Sequence, residues 1–263
     1  MDCNAIVCYN ENMSNTFFIG KDLPDGLEFA EALADSGRSV FGIAKSEADA
    51  AKFESEKIFT STWNKSSAVS AHSVIIKAET QLESFDEVIF YFDSSYFCAQ
   101  FELDRTEDIS NAVDTMYNSF LFATNELLKR IDQRKEKITV AFLVKEYPSK
   151  YEMISSKAAG IVPASGIVSA AQAAFCALAE NFSTCVAERN YLSVLLAKCS
   201  FSNDLSKNED GLADWLVTAL NSFKTMKNPQ TAKQASVWNK AGGKEVAGLT
   251  NRRKKEAELY FKE

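Results

Sequence analysis

Residues 85–92, FDEVIFYF, constrain the fold more than any other stretch. Residues 88–92 are five consecutive apolar side chains, so neither face of a strand built from them can turn towards water. A strand buried on both faces belongs in the middle of a parallel sheet. Parallel neighbours need long crossover connections, usually helices. Apolar runs at 16–19, 38–44, 57–62, 137–144, 191–197 and 235–238 predict the remaining strands. Helical periodicity covers 25–36, 48–54, 66–78, 108–131, 167–181 and 211–223 between them. Strands and helices alternate without an internal repeat or a break in composition. The pattern predicts one α/β domain over residues 1–263, with a Rossmann-type, doubly wound, mostly parallel sheet of six or seven strands and helices on both faces. Residues 1–15 read as an N-terminal arm or, through the β-prone stretch 5–9, an extra edge strand. Residues 244–263 read as a C-terminal tail.

Open sheets of this kind bind ligands at the carboxyl ends of their strands, at the switch point of the topology. The loops that matter are therefore 20–26, 45–46, 92–96, 145–156 and the stretch after residue 197. In the first, Gly20 follows a strand at once. Gly26 comes six residues later, and then a helix with Leu27, Ala30 and Leu33 on one side. Strand, glycine turn and helix open a dinucleotide-binding unit, in which the helix N-terminus offers N–H groups and a positive dipole end to phosphate. Pro24 stands where a three-glycine loop carries its middle glycine, and proline has no N–H to donate. After the second strand, an acidic residue would grip a ribose 2′-hydroxyl, whereas a basic one suits a 2′-phosphate. Lys45 stands there, so NADP is the dinucleotide expected if any binds. Asp93, Ser94 and Ser95 close the central strand.

Charge and cysteine content narrow the remaining classes. A net charge of −7 disfavours nonspecific binding to nucleic acid or anionic membrane. The basic run Asn251-Arg-Arg-Lys-Lys255 is followed by Glu256 and Glu258 and reads as a solvated terminal segment. No apolar run approaches the ~20 residues needed to span a bilayer. The first fifteen residues lack the basic and apolar regions of a secretory leader. Cys3, Cys8, Cys98, Cys176, Cys185 and Cys199 form no C-x-x-C pair and read as reduced, mostly buried thiols, which points to the cytoplasm. His72 is the only histidine; it reads as structural or surface, and no metal site is expected.

The order and spacing of these elements, from residue 16 to about 243, resemble the short-chain dehydrogenase/reductase family. The loop 20–26, GKDLPDG, is similar to that family's T-G-x-x-x-G-x-G, with Pro24 in place of the middle glycine. Residues 92–95, FDSS, stand where the family has N-N-A-G, and Thr115 stands near its catalytic asparagine. Thr62-Trp63-Asn64 replaces the adenine-contacting aspartate. Ser155-Ser156-Lys-Ala-Ala-Gly160 resembles the S-S-x-x-G stretch of the catalytic serine, after an inserted segment at 145–153. The Y-x-x-x-K motif is replaced by Val168 and Gln172; no tyrosine lies between Tyr151 and Tyr191, and no lysine between Lys157 and Lys198. The family's P-G after the sixth strand reads Ala197-Lys198-Cys199 here.

Hydride transfer in that family needs a phenol to move a proton and a lysine to lower its pKa and hold the cofactor ribose. Valine cannot move a proton, and glutamine carries no charge. The resemblance therefore implies a catalytically degenerate member, a non-catalytic binding or assembly scaffold with weak or no NAD(P) binding. Its residual serines would be Ser155 and Ser156, and its residual cofactor contacts Gly20, Gly26, Lys45 and Asp93. The family's subunit contacts imply a homodimer or homotetramer through helices 108–131 and 167–181. The alternative is an NAD(P)-dependent oxidoreductase acting on a carbonyl or alcohol, with Tyr147 or Tyr151 folding back to supply the phenol. A different enzyme class would use Asp93, Ser94, Ser95 and Ser155 in the same cleft, without a histidine to activate a serine.

Overall fold

The computed structural model describes residues 14–101, 106–156, 162–225 and 230–243. Its strands are β1 (Ser14–Ile19), β2 (Arg38–Ala44), β3 (Ile58–Thr62), β4 (Glu87–Asp93), β5 (Ile138–Lys145), β6 (Leu192–Cys199) and β7 (Trp238–Lys240). All neighbouring pairs are parallel, in the order β3-β2-β1-β4-β5-β6-β7. From β1 the chain steps outward to β3, returns to β4 on the other side of β1, and steps outward again to β7. The switch point thus lies between β1 and β4.

Helices cover both faces, as the strand pattern demands. Along β1, β4 and β5, Phe17, Phe90 and Phe142 join one core layer, while Phe18, Tyr91 and Leu143 join the other. Helices α3 (Ala68–Gln81), α6 (Ser119–Arg134) and α8 (Gly166–Val186) pack on the first layer through Val74, Phe120 and Phe175. That layer is aromatic, with Phe90 and Phe142 stacked at 5.0 Å and Phe120 and Phe175 edge to face at 4.8 Å. Helices α1 (Leu27–Asp35), α2 (Glu47–Phe53) and α9 (Glu209–Lys224) cover the second layer through Phe29, Ala50 and Leu216.

Several boundaries differ from the sequence expectation, each for a local reason. The loop expected at 92–96 is instead the end of β4 and the start of α4 (Ser94–Gln100), because the Asp93 carboxylate accepts the N–H groups of Ser95 at 3.0 Å and Tyr96 at 3.2 Å. The single helix expected over 108–131 is α5 (Thr106–Val113), a π-helical segment at Asp114–Asn118, and α6. The segment 145–153 is not wholly irregular. Lys145 completes β5, and α7 (Lys150–Ser156) begins after Pro148, where Ser149 Oγ accepts the Glu152 N–H at 3.2 Å. Near the C-terminus, α10 (Ala232–Ala235) takes the start of the expected last strand, set by a capping box between Thr231 and Gln234. The stretch 5–9, residues 157–161 and the tail at 244–263 lie outside the described residues. Among the described residues, no helix is long and apolar enough to cross a membrane.

At the amino ends of the strands a buried ion pair ties β2 to β4. Arg38 donates from Nε to Glu87 Oε2 at 2.7 Å and from Nη2 to Oε1 at 3.0 Å. Thr16 Oγ1 donates to the same carboxylate at 2.8 Å, and Lys224 of α9 pairs with it at 3.0 Å. Burial pushes the Glu87 carboxyl up, but Arg38 and Lys224 together outweigh it and hold the pKa below the ordinary value.

Candidate functional site

At the carboxyl ends, Gly20 has φ +130°, and a Cβ there would sit 1.9 Å from the Tyr91 carbonyl oxygen. Only glycine lets the chain leave β1 hard against β4. That exit delivers Lys21 to the switch point. Lys21 Nζ donates to Asp93 Oδ2 at 3.0 Å and to Glu209 Oε1 at 2.9 Å. Lys145, the last residue of β5, donates to the same two atoms at 3.2 and 2.5 Å. Tyr91 donates its hydroxyl to Glu209 Oε2 at 3.0 Å. Three strand ends and the first turn of α9 thus converge on a cluster of two ammoniums, two carboxylates and a phenol. Asp93 is 1% exposed and Glu209 9%.

The cluster neutralises itself. Burial works against the Lys145 charge, but Asp93 and Glu209 overcome it and raise the pKa. Burial likewise works against the Asp93 carboxylate, but Lys21 and Lys145 overcome it and lower the pKa. Tyr91 is held firmly protonated, by burial first and then by the carboxylates of Asp93 and Glu209. Burial pushes the neighbouring Cys199 thiol up to about 11. The shifts at Asp93, Lys145, Tyr91 and Cys199 all run away from neutral pH.

The glycine loop is stitched down instead of open. Leu23 is fully buried, donates its N–H to the Ile43 carbonyl at 2.7 Å and accepts the Lys45 N–H at 3.1 Å. The Gly26 and Leu27 N–H groups turn inward to the carbonyls of Asp22 at 3.1 Å and Pro24 at 3.0 Å. The amides of Leu23, Gly26 and Leu27 are therefore committed within the chain, and Pro24 has none.

A cavity of about 670 Å³ remains over the ends of β2 and β3, lined among others by Asp22, Lys45, Trp63, Lys65, Tyr96 and Thr115. Lys65 pairs with Asp22 at 2.6 Å across its floor. Lys45 pairs with Asp25, and its ammonium lies 5.5 Å from the centre of the Tyr96 ring. Asp22 Oδ1 and Trp63 Nε1 are buried with no hydrogen-bond partner.

Val168 and Gln172, at the positions of the resembled tyrosine and lysine, both have structural contacts. Val168 is fully buried in the aromatic layer. Gln172 Oε1 accepts the Ser94 hydroxyl at 2.5 Å and the Tyr147 N–H at 3.2 Å, fastening α8 to the ends of β4 and β5. Ser155 is exposed and donates to the Tyr151 carbonyl of its own helix at 2.9 Å. The Ser156 side chain lies outside the described residues. Tyr151 is 79% exposed, and the Tyr147 ring packs edge-on against Phe201 at 4.9 Å. Ser95 donates its hydroxyl to Asp93 at 2.6 Å, and Lys198 lies over the Trp238 ring at 4.5 Å. Of the expected cofactor contacts, Gly20 and Asp93 meet at the cluster, Gly26 caps α1, and Lys45 lines the separate cavity. His72 lies on the surface and bonds Glu126 at 2.7 Å. Among the described residues, no three His, Cys, Asp or Glu side chains converge as a metal site.

Sequence reasoning missed Lys21, Tyr91, Lys145 and Glu209 as members of one site. The legible signal was a charged residue closing a buried apolar strand, which occurs at Asp93 and again at Lys145. Glu209 carries no comparable signal in the sequence.

Comparison with known proteins places the fold. A protein of Novosphingobium aromaticivorans assigned as a short-chain dehydrogenase superposes with a TM-score of 0.60 at 12% identity, covering 92% of this chain and 86% of that one. A 3-ketoacyl-(acyl-carrier-protein) reductase of Brucella melitensis, solved with NADH, superposes at 0.55 and 11% identity, covering 88% and 96%. A doubly substituted short-chain dehydrogenase/reductase of Serratia marcescens gives 0.55 and 12%, covering 87% and 97%. At these identities the likeness establishes the Rossmann-type fold. The phage lysozyme family model matches residues 184–256. In the structure, the described part of that stretch supplies the end of α8 and then β6, α9, α10 and β7 of the parallel sheet. No curated protein sequence matches the chain.

Proposed function

We propose that this chain is a catalytically degenerate relative of the short-chain dehydrogenases, kept as a binding or assembly scaffold, without hydride transfer and without a dinucleotide across its cleft. The observation that carries this reading is the Glu209 carboxylate, held at the switch point by Lys21, Lys145 and Tyr91. A dinucleotide lying across that point would bring its pyrophosphate charge beside two buried carboxylates whose lysines are already engaged. Separating such a cluster leaves buried charges unpaired, which costs about 3–5 kcal/mol. The inward-turned loop amides offer the phosphates no compensation.

For assembly, Ile109, Val113 and Tyr117 are exposed on α5 and the π-helical segment, both of which contact α8, and α8 itself exposes the small side chains of Ala170, Ala173 and Ala177. Small and apolar exposed side chains of this kind suit close helix contact between copies, as a homodimer or homotetramer. A second reading, an NAD(P)-dependent oxidoreductase of carbonyls or alcohols with rearranged groups, is favoured by the cavity beside Lys45; its phenol would be Tyr147 or Tyr151, brought in from outside that cavity.

The test is an assay of the purified protein with NADPH and NADH over a panel of carbonyls and alcohols. No turnover above the blank is expected. Turnover that disappears in Tyr147→Phe or Tyr151→Phe would replace the scaffold reading with the second one.

A further inference from the structure

Glu209 is placed as a ligand would be. It comes from outside the sheet, on the first turn of α9, and inserts its carboxylate among groups delivered by β1, β4 and β5. Both oxygens are engaged: Oε1 receives two ammoniums at 2.9 and 2.5 Å, and Oε2 receives a phenol hydroxyl at 3.0 Å. The remaining partners are independently fixed. Lys21 is placed by the glycine-only exit from β1, Tyr91 is fully buried in β4, and Lys145 is held in register by pairing with Asp93 and Cys199 across the sheet. Without Glu209, two ammoniums would face the single Asp93 carboxylate, whose Oδ1 is already taken by the N-terminus of α4. A net positive charge and a phenol donor would then be left, at the place where open α/β sheets receive their ligands.

We propose that Lys21, Lys145 and Tyr91 form an oxyanion-receiving site that the chain fills with its own Glu209 carboxylate, so that a free carboxylate or phosphate enters once Glu209 is removed. The inference rests on the same self-filled cleft as the scaffold reading, but the two fail separately. Dinucleotide binding by the wild type would end the scaffold reading and leave the oxyanion site standing. Failure of an oxyanion to enter would do the reverse.

The experiment is chemical rescue of Glu209→Ala, read as the melting temperature in sodium formate, sodium acetate and sodium phosphate against sodium chloride at equal ionic strength. The substitution lowers the melting temperature. An oxyanion that fits restores it in a saturating way, by roughly 5 °C or more at about 100 times its Kd. Wild type and the double variant Glu209→Ala/Lys145→Met show no saturating response. Formate and acetate acting without phosphate would give the site a carboxylate's size; phosphate acting as well would widen it. Equal responses in all three proteins, or none in Glu209→Ala, would overturn the proposal. Should Glu209→Ala fail to fold in chloride, recovery of folded protein by refolding in formate supports the site. Failure in every oxyanion contradicts it.

Discussion

Two buried ionic networks sit at opposite ends of the same strands, and they are built differently. At the amino ends, the fork of Arg38 grips both oxygens of Glu87, with Thr16 and Lys224 completing the shell. The arrangement ties β2, β1, β4 and α9 together far from the ligand-binding end of the sheet. At the carboxyl ends, two lysines share two carboxylates, one oxygen of each accepting both ammoniums. A planar fork against one carboxylate is a fixed joint, whereas a ring of point charges is an assembly of replaceable parts. The difference teaches that buried charge serves two purposes here: fastening the sheet below, and occupying its cleft above.

The largest effect expected is from Arg38→Met, which leaves Glu87 with Lys224 as its charge partner among the described residues and should cost about 3–5 kcal/mol in denaturant unfolding. Lys145→Met should cost about 3 kcal/mol, the low end of that range, because Lys21 still reaches both carboxylates. Equal losses would erase the contrast between joint and ring. Gly20→Ala should cost about 1–3 kcal/mol from its backbone angle, and more from the clash with the Tyr91 carbonyl, unless the chain moves off β4. Loss of the Lys21 contacts in the variant's structure would tie that exit to the cluster.

pH separates the networks further. Glu87 and Asp93 both have lowered pKa values, so their contributions are full above the ordinary carboxylate range and are lost as pH falls through the depressed folded values. Lys145 has a raised pKa, so its contribution is full below the ordinary lysine value and is lost as pH rises through the raised folded one. Stability measured against pH should therefore lose the Lys145 share of its alkaline fall in Lys145→Met and keep that fall in Glu87→Gln. The smallest effect concerns the open cavity. Trp63→Phe removes an indole N–H that has no partner, which offsets part of the packing lost by shrinking this core side chain, so the net loss should stay below about 1 kcal/mol. A larger loss would mean that packing, not the unpaired N–H, decides this position.

The fold was legible because burial on both faces writes itself into the sequence. The uninterrupted apolar run in β4 marks its middle place, and the same reading finds β1 through β6. The helix boundaries were less legible where one side chain decides them, as Asp93 does for α4 and Thr231 for α10. What the cleft holds was not legible. Lys21, Lys145 and Glu209 meet across separations that no local pattern records, and Glu209 arrives by way of a loop and a turn of 3-10 helix after β6.

Titration of the wild-type protein with NADPH and with NADH, followed by calorimetry and thermal shift, tests the self-filled cleft most directly. No saturable heat and no stabilisation at millimolar cofactor is the predicted result. Saturable binding, with the stabilisation of roughly 2.7 kcal/mol that a specific ligand gives at about 100 times its Kd, would contradict it.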